Sequence, residues 1–270
     1  MGDTPALPPL REIIKTYGLG AKKSLGQHFL LDTNLTDRIA RAAGDLSAKD
    51  VVEIGPGPGG LTRSILAQGP ASLTVIERDQ RCIDALAALQ SVYPETLNIL
   101  EADAMKVTLS QLSPRPSVII SNLPYNVGTA LLIKWLNDLA GIERMILMFQ
   151  TEVAERIAAA PGTSSYGRLA ILTQWLCEAR ILFNIDKRAF TPPPKVMSSV
   201  IEIKPRQSPL AEAEISKLER VTQAAFGQRR KMLRSSLKSL GINPADAGIN
   251  PENRAEQLTI EEFCALARMI

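Results

Sequence analysis

The chain has 270 residues, 45% of them hydrophobic and 22% charged, with a mean hydropathy of +0.02, the makeup of a globular protein with a sizeable core. These figures exclude a disulfide-stapled mini-protein and a disordered chain. Against 28 Asp and Glu stand 31 Lys and Arg, so the net charge of +3 is, as an average, no sign of a nucleic-acid partner.

The three cysteines, Cys82, Cys177 and Cys264, are odd in number and far apart, which predicts a reducing compartment and no metal site. The first 20 residues carry two acids and no uninterrupted apolar core, so they do not read as a secretory signal. No apolar run reaches the roughly 18 residues of a membrane span. The expectation is a cytoplasmic protein without membrane contact.

In chain order, residues 1–31 read as loop, with Pro5, Pro8 and Pro9, and they include the basic pair Lys22 and Lys23. Asp32 or Thr33 then caps a short helix with Leu35, Ile39 and Ala42 or Ala43 on its apolar face. Short β-branched runs at 51–55, 73–77, 97–100 and 117–121 alternate with helix-length segments, the pattern of a parallel sheet covered on both faces. Further strands are predicted at 144–149, 180–185 and 198–203, with helices over 151–160 and 167–178. Beyond Pro205 the texture turns helical. These signals predict a Rossmann-like α/β domain over 1–204 and a small all-helical domain over 205–270.

The strand ending at Ile54 runs into Gly55, Pro56, Gly57, Pro58, Gly59 and Gly60. Glycines let a backbone turn sharply and approach a ligand, and the following helix offers unpaired amides. Glu77 closes the next strand, where a carboxylate can accept from ribose hydroxyls. Gly55, Gly57 and Gly60 also satisfy the dinucleotide pattern, which keeps an NAD oxidoreductase open. Glu53 before the turn and Asp103 after the third run favour a cationic, phosphate-free ligand over a pyrophosphate. S-adenosylmethionine is such a ligand. Singly, Glu77 or Asp103 reads equally well as a solvated cap at a strand end.

After the fourth run come Asn122, Leu123, Pro124 and Tyr125. An exocyclic amine delocalised into its ring is a poor nucleophile, and two acceptors would free its lone pair. The Asn122 side chain and the Leu123 carbonyl supply them. Pro124 holds Leu123 out of the helical region, and Tyr125 offers a face to an extruded base. The bland alternative is a strand-ending turn, since Asn and Pro are common there.

The motifs VEIGPGPGGLT (52–62), DA (103–104), NLPYN (122–126), YGRL (166–169), FTPPPKV (190–196) and FGQRRKMLRSSL (226–237), with the entry segment KKSLGQHFLLD (22–32), resemble the ribosomal RNA adenine dimethyltransferase family. The resemblance runs from Lys22 onward. It implies the class I S-adenosylmethionine-dependent methyltransferase fold, with residues 1–31 entering over the cofactor site. It implies dimethylation at N6 of two adjacent adenosines in a hairpin loop near the 3′ end of 16S rRNA in the small ribosomal subunit, by an enzyme expected to be a monomer. Cofactor contacts carry over to His28, Leu30, Gly55, Glu77, Asp103 and Asn122, and Gly57 of the glycine turn is a further cofactor-binding candidate. His28, the one histidine, stands where the family commonly has Asn. Phe190 lies on the stiff F-T-P-P-P-K segment, where the residues alone read equally as a stacking ring or as core filler. The resemblance favours a clamp of Phe190 and Tyr125 around the adenine.

Between Phe226 and Leu240 stand five cations, Arg229, Arg230, Lys231, Arg234 and Lys238, without an acid. Read as one helix, the segment puts Arg230, Arg234 and Lys238 on a face opposite Phe226, Leu233, Leu237 and Leu240. Such a face tracks phosphates, and Lys22 and Lys23 extend it. Two alternatives remain: a large-subunit rRNA adenine methyltransferase of the antibiotic-resistance type, and a non-catalytic RNA-binding assembly or transcription factor.

Overall fold

A computed structural model describes residues 7–20, 28–228 and 230–270. The chain divides by its internal contacts into two compact units, Met1–Thr151 with Leu182–Ile203, and Glu152–Ile181 with Lys204–Ile270.

The elements follow in chain order as α1 (Leu10–Thr16), β1 (Phe29–Leu30), α2 (Thr33–Arg41), β2 (Asp50–Ile54), α3 (Gly60–Leu66), β3 (Ser72–Glu77), α4 (Gln80–Gln90), β4 (Leu97–Glu101), β5 (Val118–Asn122), α5 (Gly128–Leu136) and β6 (Arg144–Gln150). Then come α6 (Thr151–Ile157), α7 (Arg168–Leu176), β7 (Cys177–Ile185), β8 (Phe190–Thr191), β9 (Ser198–Pro205), α8 (Ile215–Gly227), α9 (Leu233–Ser236) and α10 (Ile260–Ala267). Asp32 caps α2 by accepting from the Asn34 amide at 2.9 Å. No helix among the described residues is long and apolar enough to cross a membrane.

Among these residues the main sheet has seven strands in the order β4-β3-β2-β5-β6-β9-β7. β2, β3, β4, β5 and β6 pair in parallel, and β9 runs antiparallel to β6. Every residue of β3 is buried, the behaviour of a strand covered on both faces. From β2 the chain builds outward through β3 and β4, then returns and builds the other way through β5 and β6. The crevice at that reversal, beside the carboxyl ends of β2 and β5, is where such sheets hold ligands.

A second sheet of two strands pairs β1 with β8, matching Phe29 to Thr191 and Leu30 to Phe190. Two-residue strands carry no readable period: Phe29 and Leu30 fall in the stretch read as loop, and Phe190 and Thr191 in the stiff F-T-P-P-P-K segment.

The division of the chain differs from the boundary expected at 204/205, because Glu152–Ile181 falls with the C-terminal segment. Within that unit α7 packs on α8 and α10. The Trp175 indole donates to the Ala211 carbonyl at 2.8 Å, and the Phe226 ring stacks on Phe263 at 5.7 Å.

The stretch 226–240 is not one helix, contrary to its periodicity. α8 ends at Gly227 and α9 begins at Leu233, where the Leu233 and Arg234 amides donate to the Asn253 and Pro251 carbonyls at 2.8 and 3.0 Å. These tertiary bonds occupy the donors that a continuous helix would use, and they let Leu233 and Leu237 bury completely. Arg230, Arg234 and Lys238 therefore share no single helical face.

Candidate active site

The carboxyl ends of β2, β3, β4 and β5 open on a cleft of about 1090 Å³, counting the space at its mouth. Gly55, Gly57, Glu77, Asp103, Asn122, Leu123, Pro124 and Tyr125 line it, together with His28 and Leu30 from the entry segment. Sequence separations near a hundred residues thus close onto one sheet edge.

The glycine turn is tight on both sides. Gly57 has φ +56°, and a Cβ there would sit 3.0 Å from the Phe29 ring; one on Gly60 would sit 2.8 Å from the Leu30 carbonyl. The Gly57 amide donates to Glu77 Oε2 at 3.2 Å, while Glu77 Oε1 accepts from the Arg78 and Asp79 amides at 2.8 and 2.9 Å. A carboxylate has about four acceptor positions, so one on Glu77 remains for a ligand, and a second is released if Gly57 turns to the ligand instead. Asp103 lines the cleft, and its Oδ1 accepts from the Met105 amide at 2.9 Å, which leaves Oδ2 as its open acceptor.

Glu53 lies inside β2 and is 2% exposed, with Thr62 donating to its Oε2 at 2.7 Å. Burial, reinforced by the nearby Glu77 and opposed by the Thr62 bond, raises its pKa from the ordinary 4.5 to about 8. The cleft thus carries a protonated acid at neutral pH, and a cation bound beside it would favour ionisation.

At the end of β5 the Asn122 side chain is oriented by chemistry. Its nearest partner is the His28 carbonyl at 3.2 Å, an oxygen that only accepts, so Nδ2 faces it and Oδ1 is left as the acceptor. The Tyr125 hydroxyl shares a 2.6 Å hydrogen bond with Ser198 at the start of β9, which fixes its ring. Burial pushes that phenol's pKa up. Ser198 escaped the sequence reading, because a serine opening a strand carries no signal of its own.

The aromatic arrangement differs from the expected clamp. Phe190 is 2% exposed, belongs to the apolar core with Leu30 and Ile39, and does not line the cleft. Pairing of β8 with β1 turns its side chain inward. The ring that faces Tyr125 is His28, stacked at 5.5 Å and 30°, with Phe190 edge-on behind it at 6.5 Å and 83°. His28 Nδ1 lies 2.8 Å from the Pro192 carbonyl and must donate to it, which leaves Nε2 as the atom free for a ligand.

A family model described as Ribosomal RNA adenine dimethylase matches residues 18–270. The chain belongs to that family. The proteins named Ribosomal RNA small subunit methyltransferase A of Paramagnetospirillum magneticum and Rhodospirillum rubrum are 57% and 55% identical to it, covering 98% and 99% of this chain and 95% of each relative. Among solved structures, a dimethyladenosine transferase from Plasmodium falciparum superposes with a TM-score of 0.76 at 26% identity, covering 88% of this chain and 96% of that one. The 23S rRNA methyltransferase ErmE gives 0.69 at 25%, covering 89% and 98%. As a dimethylase of this family the protein is an S-adenosylmethionine-dependent enzyme acting on RNA, with the Rossmann-like class I fold.

Of the predicted RNA-contacting residues, Lys22, Lys23 and Arg229 lie outside the described residues. Arg230, Lys231, Arg234 and Lys238 are all exposed, and Arg234 faces Glu252 at 3.7 Å.

Proposed function

We propose that this dimethylase methylates N6 of two adjacent adenosines in the hairpin loop near the 3′ end of 16S rRNA, twice each, on a late small ribosomal subunit in the cytoplasm. It acts as a monomer and without a metal. Relatives named for the small subunit at 51–57% identity support the choice of subunit. The observation that carries the chemistry is the Asn122 amide, held by the His28 carbonyl so that its oxygen is the free acceptor at the cleft.

The residues fit an adenosyl sulfonium ligand. Glu77 has an acceptor position for a ribose hydroxyl, Asp103 Oδ2 would accept from the adenine amine, and the turn at Gly55 and Gly57 would let the ligand approach without a Cβ in the way. His28 Nε2 and Leu30 close the site from the entry segment. Bound S-adenosylmethionine supplies the electrophilic methyl carbon.

Asn122 Oδ1 and the Leu123 carbonyl would accept the two N–H bonds of the unmethylated amine, and one of them the single N–H left for the second transfer, orienting the nitrogen lone pair toward the methyl donor. Pro124 disfavours the helical region for Leu123, which narrows the directions its carbonyl can take. Tyr125, pinned by Ser198, provides the stacking face, and Phe190 backs the His28 ring rather than touching the base. The alkylated amine is acidic and releases its proton without a strong base. Arg230, Lys231, Arg234 and Lys238, with Lys22, Lys23 and Arg229, supply phosphate contacts.

The test is transfer of labelled methyl groups to unmethylated small and large subunits. Label confined to adjacent adenosines of the small-subunit RNA is expected. Label in the large subunit would turn the assignment toward a 23S rRNA methyltransferase such as ErmE.

A further inference from the structure

One cation beside the cleft has no part in the chemistry so far. Lys134 lies on α5, the helix that follows the Asn122–Tyr125 turn, and it is half-buried. Its ammonium donates to the Ala104 carbonyl at 3.2 Å, the Met105 carbonyl at 2.8 Å, and the Val107 carbonyl. An ammonium has three donors, and all three are spent on one loop. No carboxylate pairs with Lys134 among the described residues.

That loop leaves β4 and carries Asp103. Its start is tied to the sheet by the Ala102 amide donating to the Glu77 carbonyl at 2.9 Å. Asp103 then opens a tight turn: its side chain accepts from the Met105 amide, and its carbonyl accepts from the Lys106 amide at 2.8 Å. Ala102, Asp103, Ala104 and Met105 line the cleft on this side, and Val127 and Leu131, at and within the start of α5, line it next to them. Three carbonyl dipoles converging on one point repel each other unless a cation sits between them. The Lys134 ammonium is that cation, and it is anchored to the same helix that begins beside Tyr125.

We propose that Lys134 is a positioning residue for cofactor binding: by gathering the carbonyls of residues 104, 105 and 107 it holds the Asp103 carboxylate at the adenine edge. The inference rests on the reading of Asp103 as the acceptor of the adenine amine. It goes beyond that reading by placing the determinant of the adenine wall on α5. Loss of the ammonium lets the 103–107 loop open, which weakens cofactor binding while the groups around the target amine stay in place.

The experiment is a double-mutant cycle on the full chain, with S-adenosylmethionine and S-adenosylhomocysteine affinities from calorimetry and steady-state methylation of small subunits. In Lys134→Met both affinities should fall by about tenfold, the scale of a lost charge-assisted bond, with KM for S-adenosylmethionine rising in step and kcat within about twofold. Lys134→Arg should recover most of the loss. Asp103→Ala should weaken binding, and adding Lys134→Met to it should cost little more, because the lysine acts through the aspartate.

A purely structural role would lower the melting temperature and make the two losses multiply, which overturns the proposal. If Lys134→Met does not fold, Lys134→Gln carries the same cycle, since its amide serves at most two of the three carbonyls. Weakened binding in Asp103→Ala beside unchanged binding in the Lys134 variants overturns the inference. Unchanged binding in Asp103→Ala overturns the reading of Asp103 beneath it.

Discussion

Two regions of opposite sign use charge in different ways. In the first unit the acids at the carboxyl edge of the sheet are buried or half-buried: Glu53 and Glu77 are 2% and 7% exposed, and Asp103 is half-covered. Each is held by named donors. In the second unit Arg230, Lys231, Arg234 and Lys238 stand in solvent. Buried charge is expensive and survives only where partners fix it, so it can discriminate a ligand atom by atom. Exposed charge costs little, is screened by salt and adds contact by contact, which suits a phosphate backbone. The net charge of +3 averages these two designs and describes neither.

The contrast breaks most visibly at Glu53. Its folded pKa of about 8 lies above the ordinary 4.5, so the folded state binds the extra proton between those values. Its contribution is fully present below about pH 4.5 and is lost as pH rises toward 8. Glu53→Gln should therefore gain on the natural chain over this window, reaching a few kcal/mol by pH 8.5 at about 1.4 kcal/mol per pKa unit. Denaturant unfolding at a series of pH values checks this, and a constant difference across the window would contradict it.

Tyr125 comes next. Tyr125→Ala removes the stacking face and should lower kcat/KM by roughly 5- to 150-fold, from about 1 to 3 kcal/mol of base–aromatic contact. Tyr125→Phe keeps the ring and loses only the bond to Ser198, for a drop of about fivefold, from roughly 1 kcal/mol. Equal losses would mean that the hydroxyl, not the ring, is what matters. Smallest are the surface cations: Lys231→Ala or Lys238→Ala should each weaken RNA binding a few-fold and reduce its logarithmic salt dependence by about one. S-adenosylmethionine affinity should change far less than RNA affinity over the same salt series, since the groups proposed to hold it are buried or half-buried. Parallel salt slopes for the two ligands would erase the distinction between the regions.

What was legible in the amino-acid sequence follows the range of the interactions involved. The strands of the parallel sheet are set by continuous apolar runs, and the glycine turn, Glu77, Asp103 and the Asn122–Tyr125 turn sit at strand ends, so pattern and position coincide. Where tertiary contacts decide, the reading went astray. Leu233 and Leu237 have helical spacing from Phe226, yet the carbonyls of Pro251 and Asn253 break the helix between them. Phe190 is turned inward by a pairing with Leu30 across 160 positions, which no local signal reports. Ser198 meets Tyr125 through one hydrogen bond and Lys134 meets the carbonyls of residues 104, 105 and 107 through three, and neither residue belongs to a motif.

In the proposed function the amine is activated by acceptors at the end of β5, chiefly Asn122 Oδ1. The most direct measurement is single-turnover methyl transfer to unmethylated small subunits by Asn122→Ala at saturating S-adenosylmethionine. We expect a rate lower by about 10²- to 10³-fold, the scale for losing one transition-state hydrogen-bonding group, with cofactor affinity reduced only modestly. A rate within a few-fold of the natural enzyme's would contradict that activation.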